Sequence, residues 1–320
     1  MSESKELELW LACTEGNLDL VKQLSFDASV DINWQDSEFH RTPFFRACGH
    51  GRLSVVNFLL EHPRIEVNKP NINDGTPFFL ACQQGHDDVV ASLLRDGRVD
   101  ICKANIKLSS PFFKACQNGH EKVVAQLLAD QRVDVNQPEI DNCTPLWFAA
   151  EFGHLQVVQL LLVSGREVDT TVKSVAGTAG WNNKTAIEIA QFQEMLLQDD
   201  DESEEEYHKR LANGPLIVSL LESFDADPNA TRQQLRTLPH LRDPFIGDVF
   251  ALVVFLSDGL LQIRTGEAET HRFFHIAAKL PMELQMLLCN RVLESVKDFV
   301  LLKYSEPAFW RLGNLLSRKD

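Results

Sequence analysis

One period governs this chain. Thr42-Pro43-Phe44-Phe45, Thr76-Pro77-Phe78-Phe79, Ser110-Pro111-Phe112-Phe113 and Thr144-Pro145-Leu146-Trp147 each begin 34 residues after the last. Each is followed by a small pair, Ala47-Cys48, Ala81-Cys82, Ala115-Cys116 or Ala149-Ala150, and then by Gly51, Gly85, Gly119 or Gly153. Paired valines come next, from Val55-Val56 to Val157-Val158, with a leucine pair four positions later. Leu11-Ala12-Cys13, Gly16, Leu20-Val21 and Leu24 fit the same frame, with Gly16 lying 35 residues before Gly51. A unit this short cannot bury its own apolar face, so a recurring unit predicts a stack in which neighbours cover one another.

Each residue type has a physical place in the unit. Proline suits the first turn of a helix, and the Thr or Ser before it is a natural N-cap. The small pair lets a neighbouring helix approach closely, and the glycine turns the chain into an antiparallel helix. The Val-Val and Leu-Leu pairs at helical spacing form the buried stripe of that second helix. After it, Val30-Asp31-Ile32-Asn33, Ile65-Glu66-Val67-Asn68, Val99-Asp100-Ile101-Cys102 and Val133-Asp134-Val135-Asn136 alternate apolar with polar, which predicts an extended stretch leading into a hairpin loop.

On these motifs, residues 5–170 resemble the ankyrin-repeat family, whose unit reads roughly T-P-L-H-x-A-A-x-x-G-H-x-x-V-V-x-x-L-L with a D-V-N ending. The resemblance implies an all-α solenoid of helix-turn-helix units with hairpin loops, followed here by a small helical C-terminal domain. Two departures stand out. Phe45, Phe79, Phe113 and Trp147 replace the motif's histidine and are expected to exchange its hydrogen bonds for apolar contact between repeats. Cys13, Cys48, Cys82 and Cys116 replace its second alanine. Stacked helices sit about 10 Å apart, beyond the roughly 7 Å a disulfide allows, so these thiols should stay reduced. Gly85-His86, Gly119-His120 and Gly153-His154 are ordinary motif members, expected to serve structure rather than a metal.

The resemblance also implies a non-enzymatic module that grips a partner protein by hairpin tips and a concave helix face. The matching hairpin positions are Trp34, Gln35, Glu38, Phe39 and Arg41, then Ile72 and Asn73, Ile106 and Lys107, and Ile140 and Asp141. The matching helix positions are Gln83, Gln84, Gln117, Asn118, Glu151 and Phe152. Apolar residues at hairpin tips have little structural excuse, so Trp34, Phe39, Ile106 and Phe152 are the expected hot spots. No nucleotide-binding loop, H-E-x-x-H or G-x-S-x-G occurs, and neither a cofactor nor a metal is expected.

Beyond residue 169 the period breaks. Residues 170–225 read as a divergent sixth unit that caps the stack. Its first helix lies at Lys184 to Ala190, its second at Leu216 to Phe224, and the acidic run Asp199 to Glu206 falls in the turn between them. Residues 226–320 carry no repeat and read as a helical domain. Within it Leu280-Pro281-Met282-Glu283-Leu284 is similar to the opening of the F-box family, which implies an alternative role as a substrate-recognition adaptor of a ubiquitin ligase.

Charge follows this division. The chain of 320 residues carries a net −15. Residues 1–180 hold 24 acids against 16 bases, 181–225 hold 11 against 3, and 226–320 hold 11 against 12. The excess disfavours nucleic acid as a partner, and the run at 199–206 would attract a basic one. The polar opening MSESKELELW does not read as a signal peptide. The longest apolar run, Val249 to Leu256, is too short to span a membrane. A monomer in the cytoplasm is expected, with nuclear residence left open.

Overall fold

The computed structural model describes residues 2–175, 182–192, 203–238 and 241. The chain divides into two units, Met1–Pro228 and Asn229–Asp320. The described residues are helical and contain no strand. Five helix pairs follow the repeat: α1 (Ser2–Glu15) and α2 (Leu18–Ser25), α3 (Pro43–Gly49) and α4 (Leu53–Leu60), α5 (Pro77–Gln84) and α6 (Asp87–Arg95), α7 (Pro111–Gln117) and α8 (Glu121–Leu128), α9 (Pro145–Glu151) and α10 (Leu155–Val163). A sixth pair is α11 (Ala186–Gln191) and α12 (Glu204–Ala226). First helices stack on first helices from α1 through α11, and second helices on second helices from α2 through α12. The all-α solenoid expected from the period is therefore the observed fold.

The local chemistry explains each pair. The hydroxyls of Thr42, Thr76, Ser110 and Thr144 accept from the backbone N–H three residues on, with proline opening every one of these helices. Gly16, Gly51, Gly85, Gly119 and Gly153 turn the chain with φ between 66° and 86°, a left-handed geometry that glycine adopts without steric cost. Phe44, Phe78, Phe112 and Leu146 are buried at the stacking interface, as are the valine pairs. Each phenylalanine contributes roughly 2–3 kcal/mol relative to an exposed one. Phe45, Phe79, Phe113 and Trp147, in the motif's histidine place, are also buried.

The motif's second histidine, at the turn, is kept and links the units. The Nε2 atoms of His86, His120 and His154 lie 3.0, 2.8 and 3.0 Å from the carbonyls of Gly49, Gln83 and Gln117, each 37 residues earlier. Every imidazole thus ties its own unit to the first helix of the preceding one. Arg52 does the same at the start, donating from Nε to the Thr14 carbonyl at 2.9 Å. The three Gly-His pairs are structural, as the motif implied.

The stretches after the second helices differ from expectation. Val30 to Asn33 and its equivalents are successive turns, not extended backbone. The carboxylates of Asp31, Asp100 and Asp134 accept from the N–H two residues on, which curls the chain. The alternation still marks burial, since Val30, Ile32, Ile65, Val67, Val99, Ile101, Val133 and Val135 all face inward. Asn33, Asn68 and Asn136 then bridge units, each donating to a carbonyl and accepting an N–H one repeat on. Cys102 occupies the fourth such position and supplies one contact, Sγ to the Arg132 carbonyl at 3.3 Å.

The sixth unit begins as expected and ends differently. Thr185 caps α11 in a capping box with Glu188. The second helix runs 23 residues, Glu204–Ala226, twelve residues earlier at its start than Leu216. The reason is Ser203, which caps it in a second capping box with Glu206. Glu204, Glu205 and Glu206 therefore form a first helical turn, where negative charge complements the helix dipole. Residues 199–202 lie outside the described residues. Arg210, Gly214, Ile217, Leu221 and Phe224 give α12 a buried face. The Arg210 backbone occupies the space next to Gly153, and Asn213 Nδ2 donates to the Gly153 carbonyl at 2.8 Å.

In the second unit the described part is α13 (Pro228–Arg236), with Thr231 and Leu235 buried, followed by a short turn. The helices expected between Asp243 and Leu316, and the F-box-like string at 280–284, lie outside the described residues. Among the described residues no helix is long and apolar enough to cross a membrane, and no His, Cys, Asp and Glu cluster could hold a metal ion.

Candidate partner-binding surface

The hairpin tips form one continuous row. The N–H of Ile72 donates to the Phe39 carbonyl, Ile106 to Asn73, Ile140 to Lys107 and Val175 to Asp141, all at 2.9 or 3.0 Å. A side-chain turn shapes each tip. Asp36 Oδ1 accepts from the N–H groups of Glu38 and Phe39, Asn71 and Asn105 do the same for their hairpins, and Glu139 Oε1 does so in the fourth. Asp36 also accepts from Arg41, through its N–H and its Nε, both at 2.9 Å. These bonds hold its carboxyl below the usual range against an opposing desolvation.

This backbone turns apolar side chains outward. Phe39, Ile72, Ile106, Leu108, Ile140 and Val175 supply six of the ten exposed large hydrophobic residues found among the described ones. One of them also carries strain. His40, Asp74, Leu108 and Asn142 share a register position and a φ of 56–60°. Histidine, aspartate and asparagine tolerate this region far better than leucine.

Several expected contact residues are occupied within the protein. Gln35 Nε2 donates to the carbonyls of His40 and Pro70, and Asn118 Nδ2 to that of Gln83. Gln117 Oε1 accepts from Lys114 Nζ at 2.6 Å. Trp34 is half-buried, whereas Glu38, Asn73, Gln84 and Lys107 are exposed. Asp141 and Glu151 are half-buried at the fifth unit. Phe39 lies under the Arg41 guanidinium, 4.4 Å from ring centroid to Cζ.

The first helices present a second surface beside the tips. On α3, α5, α7 and α9 the positions open to solvent are Arg46, Leu80, Lys114 and Phe148, with the residues three and four places on. At the fifth unit this face is aromatic. Phe148 meets Phe113 edge-on at 5.1 Å and stacks on Phe152 at 6.0 Å, and Phe152 stacks on His154. At the first two units it is cationic. The guanidinium carbons of Arg41 and Arg46 lie 5.5 and 4.4 Å from the same Trp10 ring. Trp10 donates from Nε1 to the Arg41 carbonyl, as Trp147 does to that of Lys184.

Trp10, Arg46, Lys114 and Leu108 are absent from the set carried over by sequence. Trp10 falls in the register of Phe45, which the 35-residue first spacing disguises. Arg46 and Lys114 lie at a variable repeat position and were hidden in a segment whose net charge is negative.

A family model described as ankyrin repeats (3 copies) matches residues 9–105 and 100–173. No curated protein matches the chain.

Proposed function

Because the chain belongs to the ankyrin-repeat family, we propose that it is a non-enzymatic interaction module that binds a partner protein along its hairpin tips and first-helix face. The observation that carries this reading is the row of exposed apolar tips. A monomeric soluble protein has no stability reason to align Phe39, Ile72, Ile106, Ile140 and Val175 in water. Leu108 sharpens the point, because a strained backbone residue at an exposed position costs stability and so suggests use elsewhere. Expected contact residues are those same tips with Glu38, Arg41, Asn73, Lys107, Asp141, Gln84, Glu151 and Phe152. Trp34, Gln35, Gln83, Gln117 and Asn118 contribute mainly by holding the surface in shape. A reducing compartment such as the cytoplasm suits the buried free thiols of Cys13, Cys48, Cys82 and Cys116, whose pKa values burial pushes up.

The test separates stability from binding. Leu108→Asn should raise the unfolding free energy by about 1 kcal/mol by relieving left-handed strain. The same change, made with Ile106→Ser, should weaken capture of interacting proteins or peptides by at least tenfold. Retained binding with raised stability would remove the tips from the interface. A loss of stability would make Leu108 a packing residue.

A further inference from the structure

The cationic end of the first-helix face is an imbalance that the other described residues do not offset. Arg41 and Arg46 converge on one indole, and among the described residues Asp36 is the single carboxylate bonded to the pair, through Arg41. Arg46 itself meets no carboxylate among the described residues. Its Nε donates to the Thr14 hydroxyl at 3.2 Å, and its side chain is half-buried. Arg52 adds to the same end. Desolvation, then the charges of Arg46 and Arg52, hold the His50 imidazole below its usual range. Exposed Glu38, three residues before Arg41, forms no ion pair with it among the described residues.

Two repeats beyond Arg46, at the same register position, Lys114 is half-buried. Its ammonium is held below its usual pKa by desolvation, then by Lys107. One repeat further, the position is Phe148, backed by Phe152. The face therefore runs from guanidinium past Leu80 to ammonium and then aromatic along the stack. Helices α3, α5 and α7 carry no acidic residue, whereas Glu15 on α1 and Glu151 on α9 lie toward the two ends of the row of first helices.

We propose that this face takes an acidic segment of the partner protein, its carboxylates on Arg46 and its neighbours and an apolar residue against Phe148 and Phe152. This rests on the interaction reading above and names the chemistry of the partner. Charge complementarity selects the occupant, because two convergent guanidiniums with one carboxylate, bonded to Arg41 alone, leave a net cation in a partly desolvated setting. Repeats stack about 10 Å apart, so Arg46 and Phe148 lie roughly 30 Å apart. An extended segment of about nine residues spans that distance.

The experiment selects binders from a displayed library of random twelve-residue peptides on the full chain, in low salt. Retained peptides should be enriched in Asp and Glu toward one end and in apolar residues toward the other. A selected acidic peptide should lose at least tenfold in affinity to Arg46→Glu and severalfold to Lys114→Gln, and should weaken as salt rises. Arg46→Gln keeps a donor for Thr14 and replaces the glutamate variant if that one does not fold. Peptides retained without acidic enrichment, or unaffected by both substitutions, overturn the charge assignment and leave the interaction reading standing. Retention of no peptide overturns both. Binding that needs a phosphorylated residue overturns the proposal, as does self-association lost when residues 199–206 are neutralised.

Discussion

Single residues in a repeat can be judged against their counterparts. Asn33, Asn68 and Asn136 each bridge two units with two bonds, whereas Cys102 makes one. Cys102→Asn should restore the second, from the Asp134 N–H, and raise the unfolding free energy by about 1 kcal/mol. Urea denaturation of both proteins checks this. Glycines allow a similar comparison. A Cβ on Gly85 would sit 2.5 Å from the His120 ring, whereas one on Gly165 meets nothing within 4 Å. Both residues have φ near 75°. Gly165→Ala should therefore cost only the left-handed strain, about 1–2 kcal/mol. Gly85→Ala should cost about 1–2 kcal/mol more, because a bonded imidazole must shift. Equal losses in thermal melts would show that the ring moves freely. The sequence identified these glycines as turns but not what they lie against, since the contact spans 35 residues and needs the stack to exist first.

At the scale of elements, caps and turns were the legible part. Thr-Pro and the αL glycine are local signals, and both act within one unit. Two elements were misjudged for one reason: short polar side chains bond locally. Asp31, Asp100 and Asp134 curl a stretch whose apolar alternation resembles a strand, and Ser203 with Glu206 starts α12 inside an acidic run that resembles a loop. The His154 bond between elements is pH-sensitive. Burial holds His154 below its ordinary pKa, with the Gln117 carbonyl opposing. The unfolded chain, with histidine near 6.5, then binds the proton more readily than the folded one. Stability is full above that pH and falls as pH drops through it. His50 and His62, also depressed by desolvation, act in the same direction. The urea midpoint should fall between pH 7.5 and 5.5, and His154→Gln should flatten part of that slope. An unchanged slope would assign it to the other two histidines.

Across the whole molecule, what sequence showed least was the distribution of charge in space. The segment count for residues 1–180 is acidic, yet the face beside the hairpins begins with Arg41 and Arg46 around Trp10. A linear tally cannot separate two sides of a stack when side chains alternate between them every few residues. The period itself was fully legible, and with it the fold. Its imidazole links have one more consequence. Each joins a unit only to its predecessor, through a carbonyl that every predecessor offers at the same register. Removing residues 76–109, one whole period, should bring His120 to the Gly49 carbonyl that His86 now uses. That shortened protein should melt lower but still in a single step, whereas a deletion of 33 residues should yield a poorly folded one. Circular dichroism melts of the two would decide it. Length is then a quantity that heredity can adjust in whole counts, lengthening or trimming the chain without inventing a new joint.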